Sequence, residues 1–368
     1  MPPELHRHDP PRAGRGLLLG ARHQALHTHT HPVRMCVQSQ ERIRPLNRRT
    51  LLQGVVAAAA LAACAPAEPP SAEAQTPLVE QAVWGAYAST EPYPDCDAHF
   101  ALERLLGVRL SWMSWFFNWS VPWPTVGGEQ AAAGGYDVLL AWQPQLDRGP
   151  VMFADVLAGE YDDYLTRFFT LAAAHPGQVM IRFAHEMNGT GYPWALGYDG
   201  DRQRAVSSTR QFVSTWRYVV EFQRRLGGDN VRFQWCVMTA DRGGVAAEEF
   251  YPGDDWVDAL GLDVYNGYYG WQEPRAVISY TYRRLTAINS HMPVWISELG
   301  CREPGIREES GDGPLPGESK ARWLSTLFAS TEFPRITNVN FFHAARAYDW
   351  RLNSSRDALE VCRTALGG

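Results

Sequence analysis

From about Leu78 the chain alternates short apolar runs with amphipathic segments. Eight of the runs read as strands: Gln81–Ser89, Arg109–Trp115, Tyr136–Trp142, Val179–Glu186, Val231–Met238, Ala259–Tyr265, Val294–Glu298 and Ile336–Phe342. They are rich in β-branched and aromatic residues, as buried strands are. Helical periodicity lies between them. Tyr161–Ala174 places Tyr164, Leu165, Phe168, Leu171 and Ala172 on one face. Thr209–Leu226 does the same with Phe212, Trp216, Val219, Val220 and Leu226, and Arg322–Ser330 with Trp323, Leu324, Leu327 and Phe328. Ser354–Leu366 closes the chain as a helix. Eight strands, each followed by a helix or helical loop over roughly 290 residues, predict one α/β domain, a closed (β/α)8 TIM barrel. An open doubly wound sheet is the rival, and it usually carries a Gly-rich phosphate turn after its first strand. Here the first strand runs into Tyr87-Ala88-Ser89-Thr90, with no GxGxxG.

The segment before the barrel is patterned differently. Residues 1–34 are rich in His, Arg and Pro and show no periodicity. His27, His29 and His31 read as compositional bias rather than a metal tract, and Met35 offers a second start. Arg48-Arg49-Thr50-Leu51-Leu52 resembles a twin-arginine export motif. The apolar run Leu51–Ala63 is too short for a stable membrane anchor. It ends on Leu61-Ala62-Ala63-Cys64, which resembles a bacterial lipobox. The expected organisation is a signal over residues 1–63, a disordered Pro/Ala-rich tether over 64–77 and the barrel over 78–368. Lipidation of Cys64 would anchor the exported protein to the outer face of a bacterial membrane. The alternative is an ordinary signal peptide and a secreted protein.

Charge narrows the partners. Beyond residue 63 there are 25 basic and 37 acidic side chains, a net of −12. Such a surface repels phosphate backbones, so nucleic acid is not expected as a partner. Cys96, Cys236, Cys301 and Cys362 follow Cys64. Cys96 near the first helix and Cys362 on the last are neighbours in a closed barrel, so that pair could bridge; the pairing is left open, and Cys236 reads as a buried thiol. No cysteine or histidine spacing matches a zinc site, and His185-Glu186-Met187-Asn188 lacks the second His of HExxH. No metal or organic cofactor is expected. The 14 Trp and 15 Tyr suit either core packing or stacking on sugar faces.

Two strands end on carboxylates. Ile181–Gly189 reads IRFAHEMNG, and Pro293–Gly300 reads PVWISELG. In a TIM barrel the C-terminal strand ends form one rim, where catalysis sits. Glu186 after the fourth strand and Glu298 after the seventh would therefore share that rim. Two carboxylates on one rim suit glycoside hydrolysis: one, kept protonated, donates to the leaving oxygen, and the other attacks the anomeric carbon. A separation of about 5–5.5 Å is the spacing of a retaining enzyme. Arg182 or a Tyr265 hydroxyl would hold the nucleophile ionised, and a neighbouring carboxylate plus partial burial would raise the acid.

RFAHEMNG, YPGDDWVDALGLDVYN at Tyr251–Asn266 and WISELG at Trp295–Gly300 resemble glycoside hydrolase family 26, over essentially Trp84 to Leu366. The resemblance implies a retaining (β/α)8 enzyme, most often a β-1,4-mannanase, acting on a β-linked polysaccharide. It implies Glu186 as acid/base and Glu298 as nucleophile. It implies that His185 contacts sugar in the −1 subsite and that Tyr265 hydrogen-bonds the nucleophile. Further substrate-binding candidates are Arg182, Asn188, Tyr192, Trp194, Asp263 and Trp350. Tyr192 and Trp194 either stack on sugars or hold their own loop down, and Trp84, Trp115 and Trp142 read as core or rim packing ahead of a subsite role. One departure bears on the substrate. Mannanases of the family carry a Trp at the end of strand eight, and here the run is Asn340-Phe341-Phe342-His343, so that platform is missing or rebuilt by Phe342 or Trp350. The Tyr192-Pro193-Trp194 loop is similar to that of family members that cut mixed-linkage β-glucan. The readings in order are thus an endo-β-1,4-mannanase, a β-1,3-1,4-glucanase and, in another class, a noncatalytic carbohydrate-binding lipoprotein.

Overall fold

A computed structural model describes residues 75–88, 95–267, 270–305 and 314–367. His27, His29, His31, Met35, the arginine pair, Cys64 and most of the tether lie outside the described residues. Among the described residues no helix is long and apolar enough to cross a membrane. The barrel strands are β1 (Val83–Ala88), β2 (Trp112–Asn118), β3 (Asp137–Gln143), β4 (Val179–Phe183), β5 (Val231–Met238), β6 (Ala259–Asn266), β7 (Val294–Cys301) and β8 (Ile336–His343). All are parallel, each pairs with the next, and β1 closes on β8 with Val83 opposite Asn338 and Ala88 opposite His343. The longer helices are α1 (Asp97–Leu106), α2 (Thr125–Gly134), α3 (Asp162–Ala173), α4 (Thr209–Leu226), α5 (Pro274–Ile288), α6 (Lys320–Phe328) and α7 (Arg356–Gly367). The expected (β/α)8 barrel is thus the observed fold. The β5–β6 crossover is the irregular one, with two single-turn 3₁₀ helices, Ala247–Phe250 and Asp254–Trp256, in place of an α-helix.

Local chemistry sets the element ends. Ser208 and Ser319 cap α4 and α6, their hydroxyls accepting from the amides of Gln211 and Arg322 at 3.1 Å. The expected helix at Arg322–Ser330 therefore starts two residues earlier, at Lys320. Strand β2 runs three residues past its expected end, because Phe116, Phe117 and Asn118 continue the ladder with β3.

The main core lies between the strands and the helices. Trp84, Trp115 and Trp142 are buried in it, and Trp142 stacks on Phe168 with centroids 4.3 Å apart. Inside the barrel, Trp112, Leu139, Met180, Ala259 and Trp295 form an apolar plug near the N-terminal strand ends. Above it the lining turns polar. The Ser297 hydroxyl donates to Gln234 Oε1 at 2.5 Å, reaching from β7 to β5 across Gly261 of β6. A Cβ at Gly261 would stand 2.8 Å from both side chains, so only glycine permits that bond.

The Cys96–Cys362 bridge that a closed barrel would allow is not formed. Cys96, Cys236, Cys301 and Cys362 are all free and buried. The Cys96 sulfur faces Met113 Sδ at 3.3 Å and the Gly127 carbonyl at 3.5 Å, so it turns towards β2 and α2.

Candidate active site

The first carboxylate stands on a strained turn. Strand β4 stops at Phe183, three residues short of its expected end. Ala184 and Glu186 then take left-handed backbone angles, φ 46° and 55°. A non-glycine residue there costs about 1–3 kcal/mol and persists only where its surroundings over-determine it. They do so here. The amide of Ala184 donates to the Trp142 carbonyl at 3.2 Å, and that of Glu186 to the Cys236 carbonyl at 3.0 Å. The Trp194 indole N–H donates to the His185 carbonyl at 2.7 Å. The Asn188 amide donates to the Met238 carbonyl at 3.2 Å and Asp241 Oδ1 at 2.9 Å, and its oxygen accepts from the Met238 amide at 3.1 Å. His185 is left buried and Glu186 half-buried at the rim.

The second carboxylate is aimed by a bulge. Leu262 of β6 lies opposite Ile296 of β7, but Asp263 lies opposite Glu298, so Ser297 is the extra residue. Trp295 joins the apolar plug and Ser297 reaches across the interior to Gln234. Strict alternation would then send Glu298 to the other face, and the bulge turns it inward instead. There one nitrogen, Arg182 Nη2, donates to Glu298 Oε1 and Asp263 Oδ2, each at 2.7 Å. The Tyr265 hydroxyl donates to Glu298 Oε2, and the Cys236 thiol to Asp263 Oδ1 at 3.3 Å.

The electrostatics separate the two carboxylates. Burial alone would lower the Arg182 guanidinium, but Asp263 and Glu298 outweigh it and hold it well above its ordinary value. Burial pushes Glu186 up to about 8, the Glu298 charge adds to this, and Arg182 opposes it. Burial and the nearby Arg182 keep His185 well below its ordinary value, so it is neutral. Burial and Glu298 raise Tyr265 well above its ordinary value, so it stays a donor. The raised Glu186 links stability to pH. Folded, it binds its proton more tightly than unfolded, where 4.5 is the reference. The stability it contributes is present below pH 4.5 and is lost as pH rises through about 8. Glu186→Gln carries no such group, so it should gain on the parent between pH 4 and pH 9 in thermal denaturation. A gap that does not widen would mean that Glu186 is not perturbed in this way.

Comparison with known proteins places the chain. A family model described as Glycosyl hydrolase family 26 matches residues 167–311, a stretch that holds Arg182, Glu186, Asp263, Tyr265 and Glu298. Endoglucanase H of Acetivibrio thermocellus is 29% identical over 296 residues, 77% of this chain and 30% of that protein. Over residues 167–311 the chain is similar to glycosyl hydrolase family 26. A mannan endo-1,4-beta-mannosidase of Bacillus subtilis is 32% identical over 104 residues, 28% of this chain and 26% of that one. The chain thus spans under a third of the curated relatives it matches. Its fold is that of an endo-beta-1,4-mannanase from Cellulomonas fimi (TM-score 0.56, 18% identity, covering 78% of this chain and 71% of that one). The catalytic domain of a Bacillus sp. JAMB-750 mannanase is similar too (TM-score 0.57, 13% identity, covering 78% and 86%).

In this barrel the predicted residues fall into two layers. Glu186, Glu298, His185, Tyr265 and Tyr192 stand together at the rim, with Tyr192 OH at 3.2 Å from His185 Nε2. Five candidates for sugar contact lie behind that layer instead. Arg182 and Asp263 are buried beneath Glu298, and Arg182 Nη2 bonds both carboxylates. Asn188 is committed to the loop after β5. Trp194 is fully buried, stacks on Tyr192 at 4.5 Å and holds its loop down. Trp350 is buried and packs edge-on against Tyr265 at 5.0 Å, backing that ring rather than walling a subsite. At the strand-eight position Phe342 lies among Tyr87, Phe116 and Tyr265. Sequence reading missed Phe116, whose half-buried ring meets His185 edge-on at 5.8 Å, and Cys236 as a donor to Asp263. The signal for Phe116 was the apolar run continuing past Trp115. Cys236 carried none, because nothing in β5 shows which residue of β6 it faces.

Proposed function

We propose that this domain is a retaining endo-β-glycanase that cleaves a β-linked polysaccharide by double displacement. One observation carries the reading: two carboxylates at one rim with opposite surroundings. Glu298 is gripped by a guanidinium and a phenol, as a nucleophile needs. Glu186 is raised by burial and by the Glu298 charge, as a general acid needs. Glu186 protonates the glycosidic oxygen while Glu298 attacks the anomeric carbon and forms a glycosyl ester. Glu186, now ionised, takes a proton from water, which hydrolyses that ester. His185, Tyr192 and Phe116 are placed to touch the sugar between them. Export on the leader, with a lipid on Cys64, belongs to the same proposal.

β-1,4-Mannan is the first substrate, in line with the endo-beta-1,4-mannanases whose folds are similar. A second reading, β-1,3-1,4-glucan, is favoured by Phe342 at the strand-eight position and by the name of the endoglucanase matched over 77% of the chain. The experiment is reducing-sugar release from galactomannan, glucomannan, barley β-glucan and β-1,3-xylan, with the anomeric form of the first product followed by NMR. Mannan cleavage with retained configuration supports the first reading, and cleavage of barley β-glucan alone moves it to the second. An inverted product sinks double displacement. Tight binding without any release would make this a carbohydrate-binding protein.

A further inference from the structure

Lys320 is the sole lysine of the 368 residues, and its side chain is fully buried. Every other basic residue is arginine, so the exception calls for a reason. Its position costs stability. It opens α6, where the positive end of the helix dipole disfavours a cation, and burying an ammonium carries a desolvation penalty. A methionine would fill the same space without either cost. What methionine lacks is three donors on one tetrahedral head. The ammonium uses all three, donating to the carbonyls of Trp350 at 3.2 Å and Arg351 at 2.6 Å and to Ser354 Oγ at 3.0 Å. The flat fork of an arginine does not match three acceptors converging on one point. Glu303 completes the clasp, accepting from the hydroxyls of Ser354 at 3.2 Å and Ser355 at 2.6 Å.

The clasped segment reaches the reaction centre through two aromatic rings. The Trp350 indole lies edge-on to Tyr265, and the Tyr265 hydroxyl donates to Glu298. Both rings settle against Gly300, two residues beyond Glu298 on β7. A Cβ there would stand 2.4 Å from Tyr265 Cδ1 and 3.1 Å from Trp350 Cε3. We propose that Lys320 is a positioning residue for the nucleophile: by fixing the Trp350 backbone it makes the indole hold Tyr265 on Glu298. The inference rests on the glycanase reading given above.

Lys320→Met should lower kcat about 10-fold and leave KM within about twofold, since the rings move and the sugar contacts do not. On a Tyr265→Phe background the same substitution should cost less than about twofold, because the bond it supports is already gone. Full additivity of the two losses would overturn the proposal. Should Lys320→Met fail to fold, Ser354→Ala keeps the ammonium and removes one acceptor. It should show the same pattern, a loss in kcat alone, and an unchanged kcat would equally overturn the proposal. The crystal structure of either variant gives a readout that needs no turnover. Tyr265 displaced from Glu298 is the expected result, and Tyr265 still bonded there refutes the proposal. A parent enzyme that cleaves no polysaccharide, combined with a displaced Tyr265, would instead sink the glycanase reading alone.

Discussion

Glu298→Ala is expected to lose activity by about 10⁴-fold or more while keeping its fold. The loss follows from chemistry: alanine leaves no atom to form the glycosyl ester, and water in its place is not positioned for the same attack. The survival of the fold follows from the Arg182 contacts. Stranding a buried charge by removing its partner costs about 3–5 kcal/mol. Arg182 is not stranded, because the same Nη2 also donates to Asp263 at 2.7 Å. The unfolding midpoint of Glu298→Ala should therefore stay close to that of the parent, while single-turnover mixing shows no burst of product. A variant that melts early would show instead that Glu298 is a structural counter-charge. One that still hydrolyses polysaccharide at a tenth of the parent rate would remove it from the mechanism.

Glu186→Ala should lose about 10²–10⁴-fold on polysaccharide, and the loss should depend on the leaving group. A sugar alkoxide leaves only with a proton, which Glu186 supplies in the proposed mechanism. An activated aryl glycoside leaves without one, so its first step should survive in the variant. The second step then lacks its base, and glycosyl-enzyme should accumulate. Azide needs no base to attack and should restore turnover, releasing the glycosyl azide. Equal losses on both substrates, with no azide effect, would assign the acid role to another residue. The parent should also lose kcat/KM as pH rises through about 8, as Glu186 gives up its proton. The variant should lack that alkaline limb on the aryl substrate.

Most of the barrel was legible because its signals are local. Strand β5 and helix α4 fall on their expected residues, Val231–Met238 and Thr209–Leu226, where apolar periodicity is strong and the flanks are polar. Both carboxylates were legible as charges at the ends of apolar runs. Their aim was not. Glu298 faces inward only because Ser297 is the extra residue of a bulge, and the run Trp295-Ile296-Ser297-Glu298 gives no sign of which residue is extra. Glu186 likewise depends on a left-handed turn built from non-glycine residues, which propensity argues against. The bracing positions of Asn188, Trp194 and Trp350 were not legible for one reason: a polar or aromatic residue near a rim has the same local pattern whether it faces the cleft or braces the residue that does. Only partners distant in sequence, such as Asp241 for Asn188, distinguish the two.

The buried Lys320 also decides how the folded domain meets reagents. With one lysine, and that one inaccessible, the barrel offers no side-chain amine to acylating labels or aldehyde supports. A protease specific for lysine has a single side-chain address in the whole chain, inside a clasp that must open before cleavage. The appearance of its two fragments therefore times the loosening of α6 from the segment after β8, without a dye or an introduced probe.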